Sequence, residues 1–226
     1  MTDKNTVCAV IPAYNEAARI GAVLDTLAAS PEVDAVIVVN DGSTDATLAA
    51  ATAHPAAQGK MAKVTVLSQT PNRGKGAAMC LGAAQADAAD VLLFFDADLI
   101  GLTPAHVSAL LHPVTSGAVV MALGVFRGGR GATTLAQRIA PNISGQRAIR
   151  RDVFRSVPNL LTAGYGVELA ITNYVIGERL PTTQVVLQDV THPMKEEKLG
   201  FVRGAWSRLR MYYQMLPYIA RRMLRR

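Results

Sequence analysis

Val91-Leu92-Leu93-Phe94-Phe95-Asp96-Ala97-Asp98 is the stretch on which the reading turns. Five consecutive apolar residues suit a strand buried on both faces, the kind found in parallel sheets covered by helices. The run then breaks into two carboxylates at i and i+2. Two such groups leaving a buried strand can converge on one hard cation. Mg²⁺ and Mn²⁺ prefer oxygen ligands, typically one or two carboxylates plus substrate phosphates. Taken alone, the pair also reads as a solvated turn, so the neighbouring segments must decide.

Upstream, strands and helices alternate. Residues 6–13 form an apolar run ending in Pro12 and Ala13. Asn15 is placed to cap a helix in which Ile20, Leu24 and Leu27 recur at helical spacing. Residues 35–39 read as a second buried strand, and the turn and cap cluster at residues 41–45 opens an alanine-rich helix. Residues 63–67 form a third strand. Gly74-Lys75-Gly76 opens a helix running to about Ala86. This order predicts an α/β fold: a mostly parallel central sheet flanked by helices, with ligands beyond the carboxyl ends of the strands. Polar residues collect at those ends: Tyr14, Asn15 and Glu16; Asn40 and Asp41; Asn72, Arg73 and Lys75; Asp96 and Asp98. Four strand ends with one kind of signal favour the metal reading over the turn.

Downstream the pattern is less regular. Residues 99–126 carry no formal charge and read as a helix followed by a strand over 118–125. Arg127-Gly128-Gly129-Arg130-Gly131 is a basic loop. Helical stretches are expected over 134–139 and 167–176, and a strand over 183–190 ends near His192. From about 201 to 224, Val202, Ala205, Trp206, Leu209, Tyr213, Leu216, Ala220 and Met223 recur at helical spacing, with Pro217 as a kink.

Of the 226 residues, 50% are hydrophobic and 18% charged, which leaves ample material for a core and excludes general disorder. Low aromatic content, 5%, with plentiful alanine and glycine suits close packing of helix on sheet. Cys8 and Cys80 lie in apolar stretches and read as small core hydrophobes, not as a disulfide or metal framework. Net charge is +6, but residues 198–226 hold eight basic side chains and no acidic one, so the remainder is at −2. A body of that charge argues against a nucleic-acid binder. The basic amphipathic tail with Trp and Tyr reads as a helix on an anionic membrane surface, with a second copy of the chain as the other partner it could pack on. No signal peptide or transmembrane helix is expected.

The segments Val10-Ile11-Pro12-Ala13-Tyr14-Asn15-Glu16, Val39-Asn40-Asp41-Gly42-Ser43-Thr44-Asp45, Asn72-Arg73-Gly74-Lys75-Gly76-Ala77-Ala78 and Asp96-Ala97-Asp98 together resemble the family 2 nucleotide-sugar glycosyltransferases of GT-A fold. The resemblance implies that Pro12, Ala13, Tyr14 and Glu16 line the nucleoside pocket and that Asp41 accepts a hydrogen bond from the base. It places Lys75 near base or diphosphate, Asp96 on ribose or metal, and Asp98 on the metal. Gly164-Tyr165-Gly166-Val167-Glu168 resembles the branch making glucosyl-phosphoglycerate and mannosylglycerate. There a glutamate, here Glu168, lies by acceptor and sugar, and a later histidine, here His192, completes the metal site. Arg127 and Arg130 could clamp an anionic acceptor, as in the similar polyprenyl-phosphate sugar transferases. Ser144-Gly145-Gln146-Arg147 is a candidate for the acceptor floor, with Ser144 and Gly145 as its leading residues.

The expected protein is thus a metal-dependent transferase with Mg²⁺ or Mn²⁺ and an NDP-sugar donor. A donor half spans 1–98, an acceptor half 99–198, and the basic helix 199–226. The acceptor is expected to be lipid-linked or phosphate-bearing, at the cytoplasmic membrane face. The alternatives are a soluble acceptor such as 3-phosphoglycerate and, as a different class, a sugar nucleotidylyltransferase. Against the last, Pro12-Ala13-Tyr14-Asn15-Glu16 stands where that class has a glycine-rich loop.

Overall fold

The computed structural model describes residues 5–60, 62–127 and 144–193, with only the backbone for Tyr165. Seven strands form one sheet: β1 (Val7–Ala13), β2 (Ala35–Asp41), β3 (Val64–Gln69), β4 (Val91–Phe94), β5 (Met121–Arg127), β6 (Arg147–Arg150) and β7 (Thr182–Gln188). Their order is β3-β2-β1-β4-β6-β5-β7. Pairing is parallel from β3 through β4 and between β5 and β7, whereas β6 runs antiparallel to both β4 and β5. The carboxyl ends of the other six strands therefore open on one rim.

The pleat divides the core. Along β1, Val7, Ala9, Ile11 and Ala13 join one apolar layer, and Cys8 and Val10 the other; along β4 and beyond, Val91, Leu93 and Phe95 separate from Leu92 and Phe94 in the same way. The first layer is closed by α1 (Ile20–Ala29) and α4 (Pro104–Thr115), whose buried leucines and valines recur at helical spacing. The second is closed by α3 (Lys75–Gln85), α5 (Arg151–Ser156) and α6 (Val167–Gly177). Small residues let α3 approach β1 closely: a Cβ on Gly82 would lie 2.3 Å from Cγ1 of Val10. The abundance of alanine and glycine thus does what composition suggested. The alanine-rich α2 (Thr47–Ala53) packs beside α1.

One local expectation is corrected. Asn15 does not cap a helix. It adopts φ 57° and links the loops after β1 and β2, accepting from Thr44 N at 2.8 Å while its own N–H donates to Ser43 Oγ at 3.0 Å. The helix begins at Ile20 with no side-chain cap. Strand β6 and helix α5 were not expected. The helix over 134–139, Arg130 and the segment from 199 lie outside the described residues. Cys8 is buried and Cys80 half-buried, and burial pushes their thiols up to about 12 and about 11, so both are inert core groups.

Candidate functional site

The chain leaves β4 at Phe94 and delivers Asp96 and Asp98 onto the rim. Facing them is His192, four residues past the end of β7. An isolated antiparallel bridge holds these two segments together: Ile100 and Thr191 exchange backbone hydrogen bonds of 3.0 Å in both directions. The Phe126 ring meets the imidazole edge-on at 5.1 Å and fixes its tilt. As a result, ligand atoms of Asp96, Asp98 and His192 all lie within 4.8 Å of one another. His192 Nδ1 is 3.0 Å from Asp98 Oδ1, and Nε2 is 3.6 Å from Asp96 Oδ2. The trio expected from the sequence is assembled from residues 96 positions apart.

Lys75, the first residue of α3, ties this cluster to α6. Its ammonium donates to Asp96 Oδ1 at 2.5 Å and to Glu168 Oε1. Burial alone would lower the Lys75 pKa, but the two carboxylates outweigh it and the net shift is upward. Burial pushes the Asp96 carboxyl up, yet the positive Lys75 and His192 pull it below the usual range against the repulsion of Asp98. For His192, burial favours the neutral ring, and the bond to Asp98 with the field of both aspartates reverses that, raising its pKa.

Gln146 and Gly145 close the same cluster from β6. Gln146 is buried and donates from Nε2 to Asp96 Oδ2 at 2.9 Å. A Cβ on Gly145 would stand 2.5 Å from Asp96 Oδ2 and 2.8 Å from Lys75 Nζ, so this close approach requires glycine. Ser144 Oγ donates to the Gly124 carbonyl at 2.5 Å and pins the segment to β5. Ser144, Gly145 and Gln146, which the sequence offered for an acceptor floor, thus lie beside the cluster.

The loops after β1 and β2 form the other end of the rim. Pro12 is half-buried, Ala13 buried and Tyr14 46% exposed, an aromatic face left open to solvent. The Glu16 N–H donates to Thr47 Oγ1 at 2.7 Å, which anchors the backbone after Tyr14. Asp41, for which the resemblance implies a bond to the base, is held in place by bonds within the chain. It is buried, and its carboxylate accepts from Gln69 Nε2 at 2.6 Å, Arg73 N at 2.7 Å and Gly74 N at 2.8 Å. It is the hub that shapes the loop carrying Lys75. Arg127 ends β5, exposed, at the rim.

The other histidines stay apart from this cluster. His106 and His112 belong to α4, and His54 is buried at the end of α2 against Asp25, at 3.1 Å.

The chain is similar to known proteins. The family described as Glycosyl transferase family 2 matches residues 8–165. Glucosyl-3-phosphoglycerate synthase of Mycobacterium tuberculosis (strain ATCC 25618 / H37Rv) is 30% identical over 197 residues, covering 74% of this chain and 59% of that protein. This chain thus spans 59% of the length of that curated relative. Dolichyl-phosphate beta-glucosyltransferase of Drosophila melanogaster is 41% identical over 98 residues, 39% of this chain and 29% of that one. Among solved structures, the Mycobacterium tuberculosis glucosyl-3-phosphoglycerate synthase in complex with Mn²⁺, UDP-glucose and phosphoglyceric acid superposes with a TM-score of 0.70 at 28% identity, covering 95% of this chain and 79% of that chain. The same enzyme with Mg²⁺ and UDP gives 0.68 at 28% identity, over 87% and 75%.

Proposed function

The chain belongs to glycosyl transferase family 2 and has the GT-A fold, and from that premise we propose that it moves a hexose from a UDP-sugar to a small soluble phosphorylated acid of the 3-phosphoglycerate kind. The observation that carries the transfer reading is the meeting of Asp96, Asp98 and His192 with the Lys75–Glu168 pair on one rim. Two carboxylates and an imidazole fit Mn²⁺ or Mg²⁺. When bound there, the ion supplies neutralisation of the charge that gathers on a departing diphosphate.

The chain's own residues supply the rest. Pro12, Ala13, Tyr14 and Glu16 offer the nucleoside a wall with an open aromatic face. The Lys75 ammonium, at a helix N-terminus that also favours anions, adds a fixed positive charge on the diphosphate side. Glu168 accepts a hydrogen bond from Lys75 and stands on the acceptor side of the cluster. Its role is to accept hydrogen bonds from sugar or acceptor hydroxyls, and an acceptor phosphate that is already anionic needs no base. Arg127 presents its guanidinium to the acceptor's anionic groups. The donor contacts fall within residues 1–98, and Glu168, Ser144 and Gly145 belong to the acceptor half.

The choice of acceptor departs from the lipid-linked, membrane-surface reading that the basic tail suggested. Similarity to the soluble-acceptor synthase extends over 74% of the chain, whereas similarity to the dolichyl-phosphate enzyme covers 39%. Among the described residues no helix is long and apolar enough to cross a membrane. The test is an incubation of the purified chain with UDP-glucose, Mn²⁺ and 3-phosphoglycerate, with products read by mass spectrometry. A hexosylated 3-phosphoglycerate is expected. Transfer only to a polyprenyl phosphate in liposomes would return the account to the membrane acceptor, and no donor consumption with either would refute the transfer reading.

A further inference from the structure

Arg147 heads the largest fully buried side chains of the described residues, with 0% exposure. A guanidinium is costly to bury unless its surroundings compensate it, and an apolar side chain of similar volume often serves stability as well or better. The compensation here is specific. One terminal nitrogen donates to the Ser144 carbonyl at 2.5 Å and the other to the Glu168 carbonyl at 3.3 Å. Nε is buried with no acceptor. Burial brings the pKa down to about 10 while Glu168 and Asp96 hold it up, so the group stays charged near neutral pH.

The two carbonyls belong to the two arms that reach the cluster from the acceptor side. Ser144 opens the segment whose Gly145 and Gln146 press on Asp96 and Lys75. Glu168 opens α6 and sends its carboxylate to Lys75. The fork of one guanidinium donates to both arms.

We propose that Arg147 is a positioning residue for sugar transfer: sealed from solvent and touching no substrate, it fixes where the Gly145–Gln146 arm and the Glu168 arm meet Asp96 and Lys75. This rests on the transfer reading above. It makes acceptor-side geometry depend on Arg147 and leaves donor binding independent of it. Arg147, two residues after Gly145 and offered with it by the sequence for an acceptor floor, takes on this reading a place beneath that floor.

The test compares Arg147→Met, Arg147→Lys and, as a control on the same strand, Arg150→Met, whose side chain is exposed and paired with Asp152. With UDP-glucose, Mn²⁺ and 3-phosphoglycerate, Arg147→Met is expected to lose about 10²-fold in kcat, the scale of a small misplacement of reacting groups. Its acceptor KM rises and its UDP affinity with Mn²⁺ is unchanged. Arg147→Lys recovers part of the loss, and Arg150→Met behaves as wild type. Wild-type kcat in Arg147→Met overturns the proposal, as does a loss shared equally by UDP affinity and Tm and not relieved by lysine. If wild type itself transfers nothing, the transfer reading fails separately. Hydrogen exchange then decides: faster exchange in Arg147→Met confined to 144–147 and 164–172 upholds the tether, and unchanged exchange overturns it.

Discussion

Lys75 keeps two carboxylates together that would otherwise repel each other across the rim, and it does so from a half-buried position. Removing one partner of a partly buried ionic cluster leaves poorly compensated charge, and Lys75→Met is expected to lower stability by on the order of 2 kcal/mol, below the cost at a fully buried pair. Urea unfolding measures this. Because the ammonium serves both acids, adding Glu168→Gln to Lys75→Met should cost less than the sum of the two single changes. An additive pair would mean that the contact of Lys75 with Glu168 is incidental. At this scale much of the site was legible in the sequence. Asp96 and Asp98 follow an apolar strand, Lys75 opens a glycine-flanked helix, and His192 sits at a strand end. Arg147 was not legible as an anchor, because a charged residue in an Arg-rich stretch gives no sign that it is buried. Asp41 was legible as a site residue, but its duty of shaping the Lys75 loop depends on partners about 30 positions away.

Among the elements, the parallel β1–β4 half could be read directly, since each strand is a continuous apolar run punctuated by turn residues. Strand β6 could not: Arg147-Ala148-Ile149-Arg150 is four residues long with a cation at each end, and its strand character comes from pairing between β4 and β5. Asn15 has a cap residue's chemistry, but the loop after β2 captures it before a helix can start. The same loop holds Asp45, which bonds Thr47 at its backbone N (2.9 Å) and hydroxyl, and Ala17 N at 3.2 Å. Burial slightly opposes ionisation of Asp45, and the bonds from Thr47 and Ala17 outweigh it, holding the carboxyl below its usual range. A depressed folded-state pKa gives stability that is present above the unfolded value, near 3.9, and fades as pH falls through the folded one. Asp45→Ala should therefore cost about 0.5–1 kcal/mol at pH 6, at the low end because the group is exposed. The difference from wild type should shrink as pH falls below the unfolded value and close once it passes the folded one. Unfolding measured across an acid titration checks this, and a gap that persists in acid would assign the loss to packing instead.

Across the whole molecule, one sheet serves two purposes. Its parallel half turns four loops onto one rim, and its antiparallel strand β6 brings the second half back against β4, so that acids and cations from residues 75 to 192 share that rim. The eight basic side chains after residue 197 set the net charge at +6, whereas the rest of the chain is at −2. The most direct test of the account is Mn²⁺ uptake followed by electron paramagnetic resonance in the presence of UDP, comparing wild type with Asp98→Asn and His192→Ala. The account predicts one UDP-linked Mn²⁺ per wild-type chain and, in Asp98→Asn, loss of that uptake together with a fall in sugar transfer of about 10³-fold. Equal Mn²⁺ uptake by wild type and both variants would contradict it.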